Sequence, residues 1–158
     1  MSQMIPRAPV SKTPVPQAEV PSLMVPQQGR PLLVPNIAVA EIVPFSAPLP
    51  EVGKPQWFLG HIMWRGEKVP VISVVQLRGE EEDIPSEARI AVFNGLGGAL
   101  RFYGVITHGI PRLVRVREQD IESTDGMYTS VDDAFVAVGG ELAVIPNLIQ
   151  IETMIAGV

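Results

Sequence analysis

Cysteine is absent from the 158-residue chain. That excludes a disulfide framework and every thiolate metal site, and it fits a reducing compartment. Charge is scarce too: only 18% of residues are charged, with twelve basic side chains against seventeen acidic ones, a formal net charge of −5. A surface of that sign is repelled by phosphate backbones and anionic lipid heads, so nucleic acid is not an expected partner. Long apolar runs are missing as well. The opening stretch MSQMIPRAPVSKTPVPQ lacks the continuous apolar segment of a secretion signal, and proline interrupts every later run before membrane-spanning length. The expectation is a cytoplasmic protein without direct membrane insertion.

Apolar residues make up 46% of the chain, enough to exclude wholesale disorder. A fold of this size buries roughly 70% of its surface, which accommodates one domain or two intertwined small ones. Proline is unevenly spread: twelve of the sixteen lie between Pro6 and Pro55. Residues 1–18 hold little that could form a core and read as a disordered or polyproline-like tail, a bland leader more readily than a docking ligand.

Beyond the tail, apolar residues come in short β-branched runs bounded by turn residues, which predicts many short strands. The candidates are Val20 to Val25, Pro31 to Val34, Phe58 to Trp64, Val69 to Val75, Arg89 to Asn94, Ala99 to Ile106, Leu113 to Val116 and Leu142 to Ile145. Gln27-Gln28-Gly29-Arg30, Arg65-Gly66-Glu67 and Leu96-Gly97-Gly98 look like tight connections, because glycine reaches positive φ without steric cost. Spaced strands of this kind favour small barrels or a sandwich. Two segments break the pattern. Asn36 could cap a short helix, Ile37 to Ile42, stopped by Pro44. After Pro146, the residues Leu148, Ile151 and Ile155 fall three and four apart and form the apolar stripe of a terminal helix. Pro85 to Arg89 adds a turn of helix at most.

Chemistry is thinly supplied. Two histidines, His61 and His108, lie far apart in sequence with no ligand spacing near either, and they read as structural or surface residues. The run Glu80-Glu81-Glu82-Asp83 reads as a solvated loop, since four adjacent acids repel one another and lack the alternation of a calcium loop. Asn94 to Gly98 lacks the Lys and Ser or Thr of a phosphate loop. Ser73 has neither a nucleophile-elbow frame nor a matched histidine. No cofactor or metal is expected. Trp57, Phe58, Met63 and Trp64 crowd into one region and serve either as core or as a contact surface.

The order of segments resembles the CheW-like domain of chemotaxis coupling proteins, over Glu19 to Ile155. Leu32-Leu33-Val34-Pro35 leads into Ile37-Ala38-Val39-Ala40-Glu41-Ile42, similar to the family's short strand and a helix ending in Val-x-Glu-Ile. Trp57 to Gly66, followed by Val69-Pro70-Val71-Ile72, is similar to its Leu-Gly-x-x-Asn-Leu-Arg-Gly strand and Val-Pro-Val-Val-Asp-Leu partner. Tyr103-Gly104-Val105-Ile106-Thr107 looks like the Gly-x-Val-Val-Asp-x-Val region, and Ala137 to Ile145 like the closing hairpin. Polar positions depart from the pattern: Met63 stands where Asn is usual, and Ser73 and His108 where Asp is usual. Such divergence suits a coupler of a type IV pilus or other non-flagellar chemosensory array.

The resemblance implies an all-β fold of two intertwined five-stranded SH3-like barrels with a hydrophobic groove between them. Barrel one would take about residues 19–79, barrel two about 87–146, and a C-terminal helix about 147–156, within a domain spanning 19–158. It implies no catalysis. The expected role is an adaptor that bridges the tip of a methyl-accepting receptor to the regulatory domain of a CheA-type histidine kinase, with other CheW-like domains as further partners. Val39, Glu41, Gly60 and Arg65 match residues at or near the receptor-facing groove, and Trp64 belongs to the aromatic group that could line the kinase contact. A partly buried Arg65 would need a carboxylate, and Glu41 is the matching acid, so a Glu41 to Arg65 ion pair is expected. The pair either ties the fold together or serves recognition. Gly60, inside a strand, marks a bulge or the close approach of another backbone, for which a receptor helix is the candidate. The rival reading is a β-barrel peptide-binding or structural module outside chemosensing.

Overall fold

The described residues of the structure, a computed structural model, are 19–158. The expectation of a proline-rich tail over 1–18 lies outside them. The chain enters with β1 (Glu19–Val25) and β2 (Leu32–Pro35), an antiparallel pair joined by the anticipated turn around Gly29. Five strands follow: β3 (Val39–Pro44), β4 (Phe58–Trp64), β5 (Glu67–Ile72), β6 (Arg89–Asn94) and β7 (Phe102–Thr107). The last four are β8 (Arg112–Arg117), β9 (Ile121–Ser123), β10 (Asp132–Val138) and β11 (Glu141–Pro146). Two helices complete the described residues, α1 (Val74–Leu77) and α2 (Leu148–Ala156).

The strands form two sheets, in the orders β8-β1-β2-β11-β10-β9 and β3-β6-β7-β5-β4. This differs from the expected division at residues 19–79 and 87–146, and from five strands in each. The six-stranded sheet draws on 19–35 and 112–146, while the five-stranded sheet is the continuous segment 39–107 set into it. A parallel contact of β11 with β2 joins the early and late strands of the six-stranded sheet, and a second parallel pairing sets β5 beside β7. Parallel neighbours cannot be joined by a hairpin and need a long crossover, so sequence proximity does not reveal them.

The expected helix Ile37 to Ile42 is also corrected. Only Asn36–Ala38 turn, as a single 3₁₀ turn in which Asn36 caps nothing, and the chain then extends as β3 against β6. Val39, Ile42 and Val43 are β-branched and pack better on a pleated surface than on a helix. The run Val69 to Val75 likewise ends early. Ser73 accepts a bond from the Gln76 amide and caps α1, so the backbone leaves the sheet there. Strands β9 and β10 had no counterpart in the periodicity reading. The terminal helix lies where the stripe puts it, with Asn147 as its cap and Ile151 and Ile155 buried.

Apolar side chains occupy three layers. Ile62, Trp64, Val69, Ile90 and Ile106 fill the five-stranded sheet's own interior, and Met24, Leu33, Val116, Val136 and Ala143 fill that of the other. A third cluster, including Leu32, Phe58, Phe93, Tyr103, Phe135 and Ile151, lies between the sheets. Central strands therefore bury both faces: Leu33 points into one layer while Leu32 and Val34 point into another. Such strands read as unbroken apolar runs rather than alternating ones.

Candidate protein-contact site

Strands β3 and β4 are the two edges of the five-stranded sheet, and the predicted contact residues fall along them. At the end of β4 the chain reverses through Arg65 and Gly66, with φ of 47° and 77°, so that Trp64 faces Glu67. Two successive left-handed residues match the twist of a two-residue hairpin. Arginine pays about 1 kcal/mol or more for this conformation, and Gly66 does not.

Arg65 Nη2 reaches Glu41 Oε1 at 3.0 Å, the ion pair expected from sequence. The same oxygen accepts the Trp64 Nε1–H at 3.0 Å, and the Arg65 guanidinium lies 5.0 Å from the Trp64 ring centre. Glu41 thus stitches the two edge strands together. A bulge makes this possible. The β3–β6 register shifts between Val39 and Glu41, so Val39 packs into the layer between the sheets while Glu41 turns the other way, to the side where Val43 and Trp64 pack. The pair forms without burial of Arg65: its side chain is 70% exposed and that of Glu41 39%. An ion pair so placed contributes less than about 1 kcal/mol, whereas the buried indole N–H has a stronger claim on the carboxylate.

Of the five candidates, then, Glu41, Trp64 and Arg65 converge, and Val39 and Gly60 do not join them. Gly60 is buried at φ 131° beside a register shift, and a Cβ there would stand 2.1 Å from the Leu49 carbonyl oxygen. The backbone that approaches it belongs to this chain. Leu49 and His61 exchange both backbone hydrogen bonds, at 2.8 and 3.0 Å, which covers this part of the β4 edge. Trp64 is core of the five-stranded sheet, edge-on to Phe102 at 4.8 Å, while Trp57 packs against the layer between the sheets. Leu49, Val52 and Met63 remain exposed nearby.

The groove implied between the barrels is filled by side chains. A cleft of ≈ 240 Å³ opens at its margin, lined among others by Gln27, Arg30, Arg78, Glu80 and Phe135. The acidic run is not wholly solvated either. The Glu82 side chain is 2% exposed and sits between Ser73 and His108, accepting from Ser73 Oγ at 2.8 Å and meeting His108 Nε2 at 2.5 Å. Sequence reasoning missed this unit because 26 residues separate Glu82 from His108. The order Ser-Glu-His is not that of a nucleophilic triad, where histidine must stand between the hydroxyl and the acid to take the proton. His61 contacts Glu51, yet burial holds its pKa below the ordinary value, against the pull of Glu51. Among the described residues no group of three or more His, Cys, Asp or Glu could hold a metal ion, and no helix is long and apolar enough to cross a membrane.

No curated protein matches the sequence. Among solved structures, the scaffolding protein TtCheW from Thermoanaerobacter tengcongensis is similar, with a TM-score of 0.71 and 17% identity, over 82% of this chain and 89% of that one. That likeness carries the fold, including its paired SH3-like barrels. The CheW-like domain family model matches residues 21–154, nearly all that the structure describes, and on that match the chain belongs to the CheW-like domain family.

Proposed function

We propose that this chain is a non-catalytic chemosensory adaptor, coupling the tip of a methyl-accepting receptor to the regulatory domain of a CheA-type histidine kinase in the cytoplasm. The observation that carries the reading is family membership across residues 21–154. The Glu41 and Arg65 pair supports it locally, since both side chains are exposed at positions where the resemblance implies partner contact, with the buried Trp64 ring beneath Arg65. Scaffolding requires pre-shaped surfaces rather than converging nucleophiles, and arginine is enriched among the residues that carry binding energy at protein contacts. The net charge of −5 disfavours nucleic acid as a partner. Other CheW-like domains are further partners, and a type IV pilus or other non-flagellar array is the setting that the divergent positions Met63, Ser73 and His108 suit.

The test is binding of the full chain to a receptor tip and to a kinase regulatory domain, measured in parallel. Binding to both supports coupling. Binding to one alone reduces the role to competition or sequestration, and binding to neither favours the rival β-barrel module outside chemosensing.

A further inference from the structure

The connection between α1 and β6 carries Glu80-Glu81-Glu82-Asp83, and it is fastened at more than one place. On one side the buried Glu82 carboxylate takes the Ser73 hydroxyl and the His108 ring, which follow β5 and β7 of the five-stranded sheet. On the other, Gln28 in the β1–β2 turn of the six-stranded sheet donates to the Glu81 carbonyl and accepts from the Asp83 amide, each at 2.9 Å. The same turn is held from below: the His108 amide donates to the Pro26 carbonyl, and the Gln27 side chain to that of Ile106. The acidic connection is therefore a strap running from one sheet to the other.

From this arrangement we infer that Glu82, Ser73 and His108 form an intersheet latch, which locks the acidic strap and the β1–β2 turn together and sets the width of the cleft that Gln27, Arg30, Arg78 and Glu80 line. A carboxylate with so little solvent must keep its hydrogen-bond donors, so Glu82 has two states of low energy: seated between Ser73 and His108, or withdrawn into water with the whole strap. Intermediate positions leave the carboxylate dry and unpaired. Withdrawal also removes Asp83 and Glu81 from Gln28, because both flank Glu82 in the chain. The β1–β2 turn that loses this clamp carries Gln27 and Arg30 of the cleft, opposite Arg78 and the Phe135 ring.

The test is amide hydrogen exchange by NMR on the full chain, with Asp83 and His108 as reporters because their N–H groups bond to Gln28 and Pro26. Glu82→Ala and His108→Ala should each speed exchange at both amides tenfold or more. The double variant should add little beyond either single one, while β6 and β7 keep their protection. Glu82→Gln, which retains an acceptor for Ser73, should fall between. Unchanged exchange at Asp83, effects that simply multiply in the double variant, or equal loss of protection throughout both sheets would each overturn the latch.

Discussion

Glu41 Oε1 holds two donors of different value, and the difference can be read by substitution. Arg65→Ala removes an exposed partner, so denaturant unfolding should register a loss below about 1 kcal/mol. Glu41→Ala leaves the indole of a tryptophan that is 9% exposed without its acceptor and should cost about 1–3 kcal/mol. If Arg65→Ala instead lowers stability and receptor binding together, the pair is a structural tie, and binding loss at full stability marks it as recognition. Gly60→Ala is the harsher change: its Cβ meets Leu49 backbone, not a movable side chain, at a φ that disfavours any L-residue. A loss of more than about 2 kcal/mol is expected from such strain, read from the urea midpoint. His61 gives a pH signature. Its folded pKa lies below the ordinary 6.5, with desolvation the leading cause, so the unfolded chain binds the proton more readily. This site therefore contributes stability that is full above pH 6.5 and falls as the pH drops from there toward the folded value, and His61→Gln should flatten that part of the stability profile.

Local signals were sufficient for some elements and insufficient for others. Phe58–Trp64 and Arg89–Asn94 have the boundaries that their apolar runs predict, since turns bracket both. The terminal helix was legible for a different reason: a stripe at helical spacing and a preceding proline agree, and the structure adds the Asn147 cap. Asn147→Ala should cost about 1 kcal/mol by removing the bond to the Gln150 amide, seen as earlier melting with weakened helical circular dichroism. Residues 37–42 misled because six residues with a possible cap fit a helix and a strand equally well by periodicity. Pairing with β6 settles the matter in favour of the strand, and the bulge at Ala40 is invisible until that partner is known. For the same reason the convergence of Glu41 with Trp64 went unforeseen even though its pairing with Arg65 was anticipated. The family resemblance named residue identities, not the way a register shift aims them.

Across the whole molecule, one sheet is set within the sequence of the other. A fragment of residues 19–79 keeps β1 and β2 without β8 and β11, which flank them, and β3 to β5 without β6 and β7. Such a fragment should stay unfolded by amide NMR dispersion, because its apolar strands have no layer to close against. That outcome would separate the observed topology from two barrels in tandem, for which the same fragment would fold.

Composition and short-range pattern were enough to establish a β-rich, cysteine-free chain with its hairpin turns and terminal helix, since these depend on neighbours a few residues away. The order of segments was enough to point to the family. Strand partnership, the parallel β2–β11 and β5–β7 contacts, the burial of Glu82 and the separation of Val39 from Glu41 came from the folded arrangement. Each of these arises between residues that become neighbours only when the sheets assemble, and the free energy that selects such contacts is that of apolar layers shared by distant segments.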